Sequence, residues 1–207
     1  MLAKRSVSAV LSVLCLLLWS SNAFACACCV ERGHYSLTTS KPDAFYLGIF
    51  DNMKFAGPAE LYMSVAGFDG TKGLSVLEKD EAAGKSIGFD VIESFANRTW
   101  TLTVKTASGR TGTLVLPMPA TFTKYAADQH DSEDKGLGVT LYKELSVKGK
   151  VKGGTGIFSS AGSSSTNYSL IFQGRGNGCD SDADYHHWRL ALNGAKATYA
   201  FFGKINP

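Results

Sequence analysis

The sequence predicts a single exported all-β domain, an antiparallel barrel or sandwich of about 8–10 strands stapled by disulfides. Three observations carry that expectation. Beyond residue 33 apolar residues recur with period two rather than 3.6, glycine- and asparagine-rich turn signals separate the runs, and no window holds a convincing amphipathic helix. The 207 residues are 44% hydrophobic and 19% charged, which supplies one well-buried core and excludes a disordered chain. The 22 glycines follow no three-residue period, so a collagen-like chain is excluded as well.

Residues 1–25 read as a secretory signal peptide. Lys4 and Arg5 precede thirteen residues, Val7 to Trp19, that are apolar apart from two serines, and Ala23-Phe24-Ala25 forms a small-residue cleavage site. The apolar stretch is shorter than the ~20 residues a membrane-spanning helix needs, so no transmembrane segment is expected. Residues 26–207 then form one secreted or periplasmic domain. Cleavage would place Cys26 at the new N-terminus, where a lipid anchor is the alternative to simple release. Of the 21 basic residues Lys4 and Arg5 leave with the leader, and the remaining 19 nearly balance 18 acidic ones. Bulk charge therefore argues against nucleic-acid binding.

Along the mature chain, Ala44 to Phe50 and Ile87 to Phe95 are dense apolar runs of β formers, and Leu61, Met63 and Val65 alternate with other residues. Trp100, Leu102 and Val104 alternate with Thr99, Thr101 and Thr103, the pattern of a half-buried strand. Ser108 to Gly112 reads as a turn. Pro117 and Pro119 cannot donate ladder hydrogen bonds and belong at a strand end or edge. Ala126 to Gly138, rich in acids, reads as a long exposed loop. Val139, Leu141, Leu145, Val147 and Val151 share odd parity in a long strand or bent pair, and Tyr168, Leu170 and Phe172 repeat the pattern. Leu192-Asn193-Gly194-Ala195 predicts a hairpin through a type I′ turn at Asn-Gly.

Gly153-Gly154-Thr155-Gly156-Ile157-Phe158, followed by Ala161 and Gly162, resembles the GGTG-x-F hairpin of dirigent and allene-oxide-cyclase-type β-barrels. The resemblance covers about ten residues. It implies an eight-stranded barrel with a hydrophobic ligand cavity, and it brings no catalytic residue to this chain.

Cys26, Cys28, Cys29 and Cys179 remain once Cys15 leaves with the leader, and an even number in an exported chain favours disulfides. Adjacent Cys28 and Cys29 rarely reach bonding geometry. Cys179 therefore bonds one member of the N-terminal group, tying the N-terminus to the turn at Gly174 to Cys179 and leaving the other two to pair. The competing reading is a soft-metal or redox site at Cys26 and Cys29, with C-x-x-C spacing, joined by His34.

The segment from Cys179 to Trp188 is the most chemically loaded. Asp180, Asp182 and Asp184 match the first spacings of an EF-hand loop, but Tyr185 stands at its glycine position and Ala191 at its bidentate glutamate, which leaves at most a looser calcium site. Trp188, Leu190 and Leu192 share even parity. Extending that strand backward without a bulge sets Asp184 and His186 on the core-facing rim, with Tyr185 and Arg175 nearby, as a polar ligand, metal or acid–base site. Gly174 to Gly178 lacks the Lys-Ser/Thr of a P-loop, and no G-x-S-x-G elbow supports a serine hydrolase. Asn97 and Asn167 head glycosylation acceptor triplets, relevant in a eukaryotic secretory pathway alone. The expected function is a binding or structural module for an unidentified small molecule or protein. The alternative is a metal-binding or small-molecule-converting protein centred on Asp184 and His186 or on the Cys26, Cys28 and Cys29 cluster. No cofactor is predicted, although a soft metal or calcium fits the candidate residues; the sequence leaves the oligomeric state open.

Overall fold

A computed structural model describes residues 28–61, 71–72, 88–107, 109–130, 138–162 and 165–206. Residues 1–25, Cys26, Met63, Val65, Ile87, Ser108 and most of the acidic loop lie outside the described residues. Among the described residues twelve strands form one antiparallel sheet: β1 (Tyr35–Ser40), β2 (Lys54–Leu61), β3 (Thr71–Lys72), β4 (Gly88–Ala96), β5 (Thr99–Thr106), β6 (Thr111–Pro117), β7 (Phe122–Asp128), β8 (Leu141–Lys150), β9 (Gly153–Gly154), β10 (Asn167–Gly176), β11 (Tyr185–Asn193) and β12 (Thr198–Asn206). Among the described residues two α-helices interrupt them, α1 (Ala44–Asn52) and the single turn α2 (Ser159–Gly162). The hydrogen-bonded order is β1-β7-β8-β10-β11-β12-β2-β4-β5-β6-β9, with β3 on β12. Among the described residues the hydrogen-bonded ladder is not closed. The sheet nonetheless bends back on itself. β9 follows β8 within the chain yet pairs with β6, and the Tyr168 hydroxyl on β10 donates to the Pro117 carbonyl at the end of β6 across 2.5 Å.

The period-two readings hold along β5, β8 and β10. Trp100, Leu102 and Val104, then Leu141, Leu145 and Val147, then Tyr168, Leu170 and Phe172, are all buried on one face. Glycine-rich Gly153 to Gly162 folds as the β9 bridge, a 3-10 turn and α2 rather than as a hairpin, sending Phe158 and Ala161 into the core. A Cβ on Gly154 would lie 2.3 Å from the Phe158 carbonyl oxygen, so the short residue permits that tight return.

Ala44 to Phe50 is a helix, not a strand. Asp43 caps it by accepting from the Tyr46 N–H at 3.0 Å, and Pro42 just before the cap stops β1 from continuing. Its core-facing residues Tyr46, Ile49, Phe50 and Met53 follow helical i, i+3, i+4, i+7 spacing, a stripe obscured in the sequence by Phe45, which faces outward and is 57% exposed. Phe50 meets Trp100, Phe122 and Phe172 at ring separations of 5.3 to 5.7 Å, so α1 fills the concave side of the sheet. The acidic loop begins later than expected, because β7 extends through Asp128.

The Asn193-Gly194 turn also differs. Gly194 and Ala197 exchange backbone hydrogen bonds, moving the turn to Ala195 and Lys196. Gly194 is required for another reason: a Cβ there would lie 2.7 Å from Thr166 Oγ1. The two-residue hairpin with positive φ at both positions is instead Asn97-Arg98, at 50° and 57°, between β4 and β5.

Candidate functional site

β8 continues its inward parity through position 143, where a lysine stands between Leu141 and Leu145. Its side chain is only 3% exposed. An ammonium in that setting needs counter-charges, and the segment after Cys179 provides them. Lys143 Nζ donates to Asp184 Oδ2 at 2.7 Å and to the Cys179 carbonyl at 2.5 Å, and lies 3.1 Å from Asp180 Oδ1. The other oxygen of Asp180 accepts from Lys124 Nζ on β7 and from the Tyr46 hydroxyl on α1, each at 2.8 Å, while Lys124 also donates to that hydroxyl at 2.5 Å. Lys124 Nζ lies 4.9 Å from the Tyr46 ring centroid, and Lys143 Nζ 5.9 Å from that of Tyr185. Two ammonium groups, two carboxylates and a phenol thus join α1, β7, β8 and the 179–184 segment.

The electrostatics favour the ionised Asp180–Lys124 pair. Burial alone would raise the Asp180 pKa, but hydrogen bonds from Lys124 and Tyr46 and the Lys143 charge outweigh it and hold the carboxyl below the usual range. Burial likewise opposes the Lys124 charge, and its bonds to Asp180 and Tyr46 reverse the sign, raising its pKa. Burial pushes the Tyr46 and Tyr185 phenols up, with Asp180 adding in the same direction.

The local chain is shaped to bring this segment in. The disulfide Cys28–Cys179, with Cα atoms 4.8 Å apart, fixes it to the N-terminal chain immediately before Asp180, and the Gly178 N–H donates to the Cys28 carbonyl at 2.7 Å. The glycine-rich stretch on and after β10 is a close-approach surface. A Cβ on Gly174 would lie 1.8 Å from the Asp184 carbonyl oxygen, and one on Gly176 2.2 Å from the Asp184 carboxyl carbon.

Of the sequence candidates, Asp184 and Tyr185 join this cluster, Tyr185 being fully buried. His186 does not. Gln173 pairs with His187 while Gly174 pairs with Tyr185, so His186 is the extra residue of a β-bulge and is exposed. The bulge is the condition that the parity argument excluded, and it separates Asp184 from the imidazole. Arg175 is exposed and donates to Gln129. Cys28 is consumed by the disulfide with Cys179, and Cys29 lies beside Gly138. Cys26 lies outside the described residues. His34 contributes its carbonyl to the Asp128 N–H. Among the described residues no group of three or more His, Cys, Asp and Glu is arranged to hold a metal ion. Asp128 is occupied by the N–H groups of Gly33 and His130, each at 2.8 Å, and these bonds lower its pKa.

Lys143, Lys124 and Tyr46 were not singled out from the sequence. The signal for Lys143 was present, since odd parity along β8 commits position 143 to the interior. Tyr46 and Lys124 depend on the helix and on tertiary docking.

A second set of features lies on the outer face. Pairing of β12 with β2 shifts between Phe202 and Lys204, opposite Gly57 and Pro58, and leaves a groove of about 400 Å³ lined by Glu60, His187, Phe202 and Lys204 among others. It shares His187, Phe202 and Gly203 with a groove of about 270 Å³ that reaches Gln173, Trp188 and Arg189. A third, of about 520 Å³, crosses β8, β10 and β11 between Lys148, Lys150, Asn167, Ser169 and Asn193. No protein-family model, curated protein or solved structure matches the chain in these comparisons.

Proposed function

We propose that this chain is an exported binding module that holds an extended polar ligand along the outer face of β8, β10, β11, β12 and β2. The observation that carries the reading is the linked pair of grooves at the β2–β12 irregularity. Phe202, 38% exposed, adds apolar surface there, and His187, Gln173 and Lys204 supply a polar rim. Such a mixture of one apolar platform and a few directional polar groups suits an oligomeric polar molecule. The Lys143 cluster supports a structural role: its carboxylates are held by ammonium and phenol groups, and the bulge turns His186 away from Asp184. Export is supported by the Cys28–Cys179 bond, which persists in oxidising compartments, and by the leader-like residues 1–25. No helix among the described residues is long and apolar enough to cross a membrane.

The test is retention of the purified exported chain on a panel of immobilised polysaccharides and peptides, compared with a His187→Ala/Phe202→Ala variant of unchanged melting temperature. Retention lost in the variant supports the reading. Absence of retention on every support, or retention that the variant leaves intact, contradicts it.

A further inference from the structure

We infer that the ligand of this outer face is an anionic oligosaccharide, bound across β8, β10 and β11; the inference rests on the binding-module reading. Ladder register builds the site as rows. Lys150 pairs with Asn167 and Asn167 with Asn193; one row on, Lys148 pairs with Ser169 and Ser169 with Ala191. Residues two apart on a strand share a face, so Lys148 and Lys150 both project to the outer side, ~7 Å apart, beside the amides and hydroxyl of the neighbouring strands.

The charge there is one-sided. Arg189 occupies the next outer row and Lys196 the adjoining hairpin, and neither these nor Lys148 and Lys150 take part in an ion pair among the described residues. Glu144 is the acid on this stretch of β8, and it accepts from Tyr142 and Gln173 at 2.5 and 2.9 Å. Asp180 and Asp184 sit with the inward lysines instead. The near-neutral total thus conceals a local positive surface.

The other side chains decide among polyanions. Asn167, Asn193 and Ser169 offer donors and acceptors that match sugar hydroxyls. Tyr168 borders this groove with its ring buried at 2% exposure, and among the described residues none of the large exposed apolar side chains lines it; Phe202 lies outside it on β12, so the groove itself offers no row of platforms for nucleobases and no wedge for a lipid surface.

The experiment is calorimetric titration of the exported chain with a heparin hexasaccharide and with neutral maltohexaose, at about 50 and about 200 mM salt. Lys148→Glu/Lys150→Glu is compared with Lys41→Glu/Lys105→Glu, an equal charge change elsewhere on the surface. Expected are heparin binding alone, weakening by about tenfold or more at the higher salt, a further loss of about tenfold in the first variant, and little change in the second. Maltohexaose binding as tightly, without salt dependence, overturns the anionic assignment and leaves the module reading standing. Equal losses in both variants overturn the site. Absence of binding to either saccharide overturns the inference, and with no retention on the wider panel it removes the module reading too.

Discussion

Lys143 and Asp184 meet at 2.7 Å from positions 41 residues apart, joining the interior of β8 to the segment that follows the disulfide. This contact explains why an acid-rich stretch can fold inward, and it turns the most reactive-looking part of the sequence into a fastening.

The disulfide is the first consequence to test. Peptide mapping without reduction is expected to recover a Cys28–Cys179 link and, from the two cysteines left, a Cys26–Cys29 link. Reduction of the long link, which spans 151 positions, is expected to cost up to about 4–5 kcal/mol by chain entropy, seen as a lower denaturation midpoint. A link from Cys179 to Cys26 or Cys29, or an unchanged midpoint, contradicts the account.

Acid stability follows Asp180. Its folded pKa lies below its unfolded one, so its contribution is present above the unfolded value of about 3.8 and disappears as pH falls through the lower folded value. Asp180→Asn is expected to lower stability at neutral pH and flatten the acid limb of a stability–pH curve. A limb as steep as in the parent chain would show that Asp180 does not cause it.

Glu93 has the opposite sign. Both carboxylate oxygens on the inner face of β4 are buried without a hydrogen-bond partner, and burial raises the pKa. The folded state therefore keeps its proton longer, and this residue's contribution falls as pH rises from the unfolded value through the folded one. Glu93→Gln is expected to stabilise by about 1 kcal/mol at neutral pH and to have little effect in acid, read by urea midpoints at both pH values. Destabilisation at neutral pH would indicate an ion-pairing role.

The turns provide a paired test. Arg98 holds a positive φ of 57° and Gly194 does not, so Arg98→Gly is expected to stabilise by about 0.5–1 kcal/mol, whereas Gly194→Ala is expected to destabilise by pressing on Thr166. The reverse order in thermal melts would restore the Asn-Gly turn.

How much was legible follows from which contacts set each element. Trp100, Leu102 and Val104 reveal a strand because period two records burial on one face of a pleat, and that information is local. Helix α1 was hidden because Phe45 and Leu47 blur its stripe, while the deciding Asp43 cap is a single residue. The bulge at His186 left no local mark. It follows from the approach of Asp184 to Gly174 and Gly176, a tertiary fit that parity cannot register. The tether from Cys179 to the N-terminal group was readable from cysteine arithmetic, although the choice of Cys28 was not.

The most direct measurement is a double-mutant cycle on Lys143→Met and Asp184→Asn by urea denaturation. The fastening predicts that Lys143→Met alone costs about 3 kcal/mol by stranding Asp184 and leaving Asp180 to Lys124 and Tyr46, and that the pair couples by more than about 1 kcal/mol. Additive effects, each below about 0.5 kcal/mol, would contradict the fastening and return the acidic segment to candidacy as a reactive site.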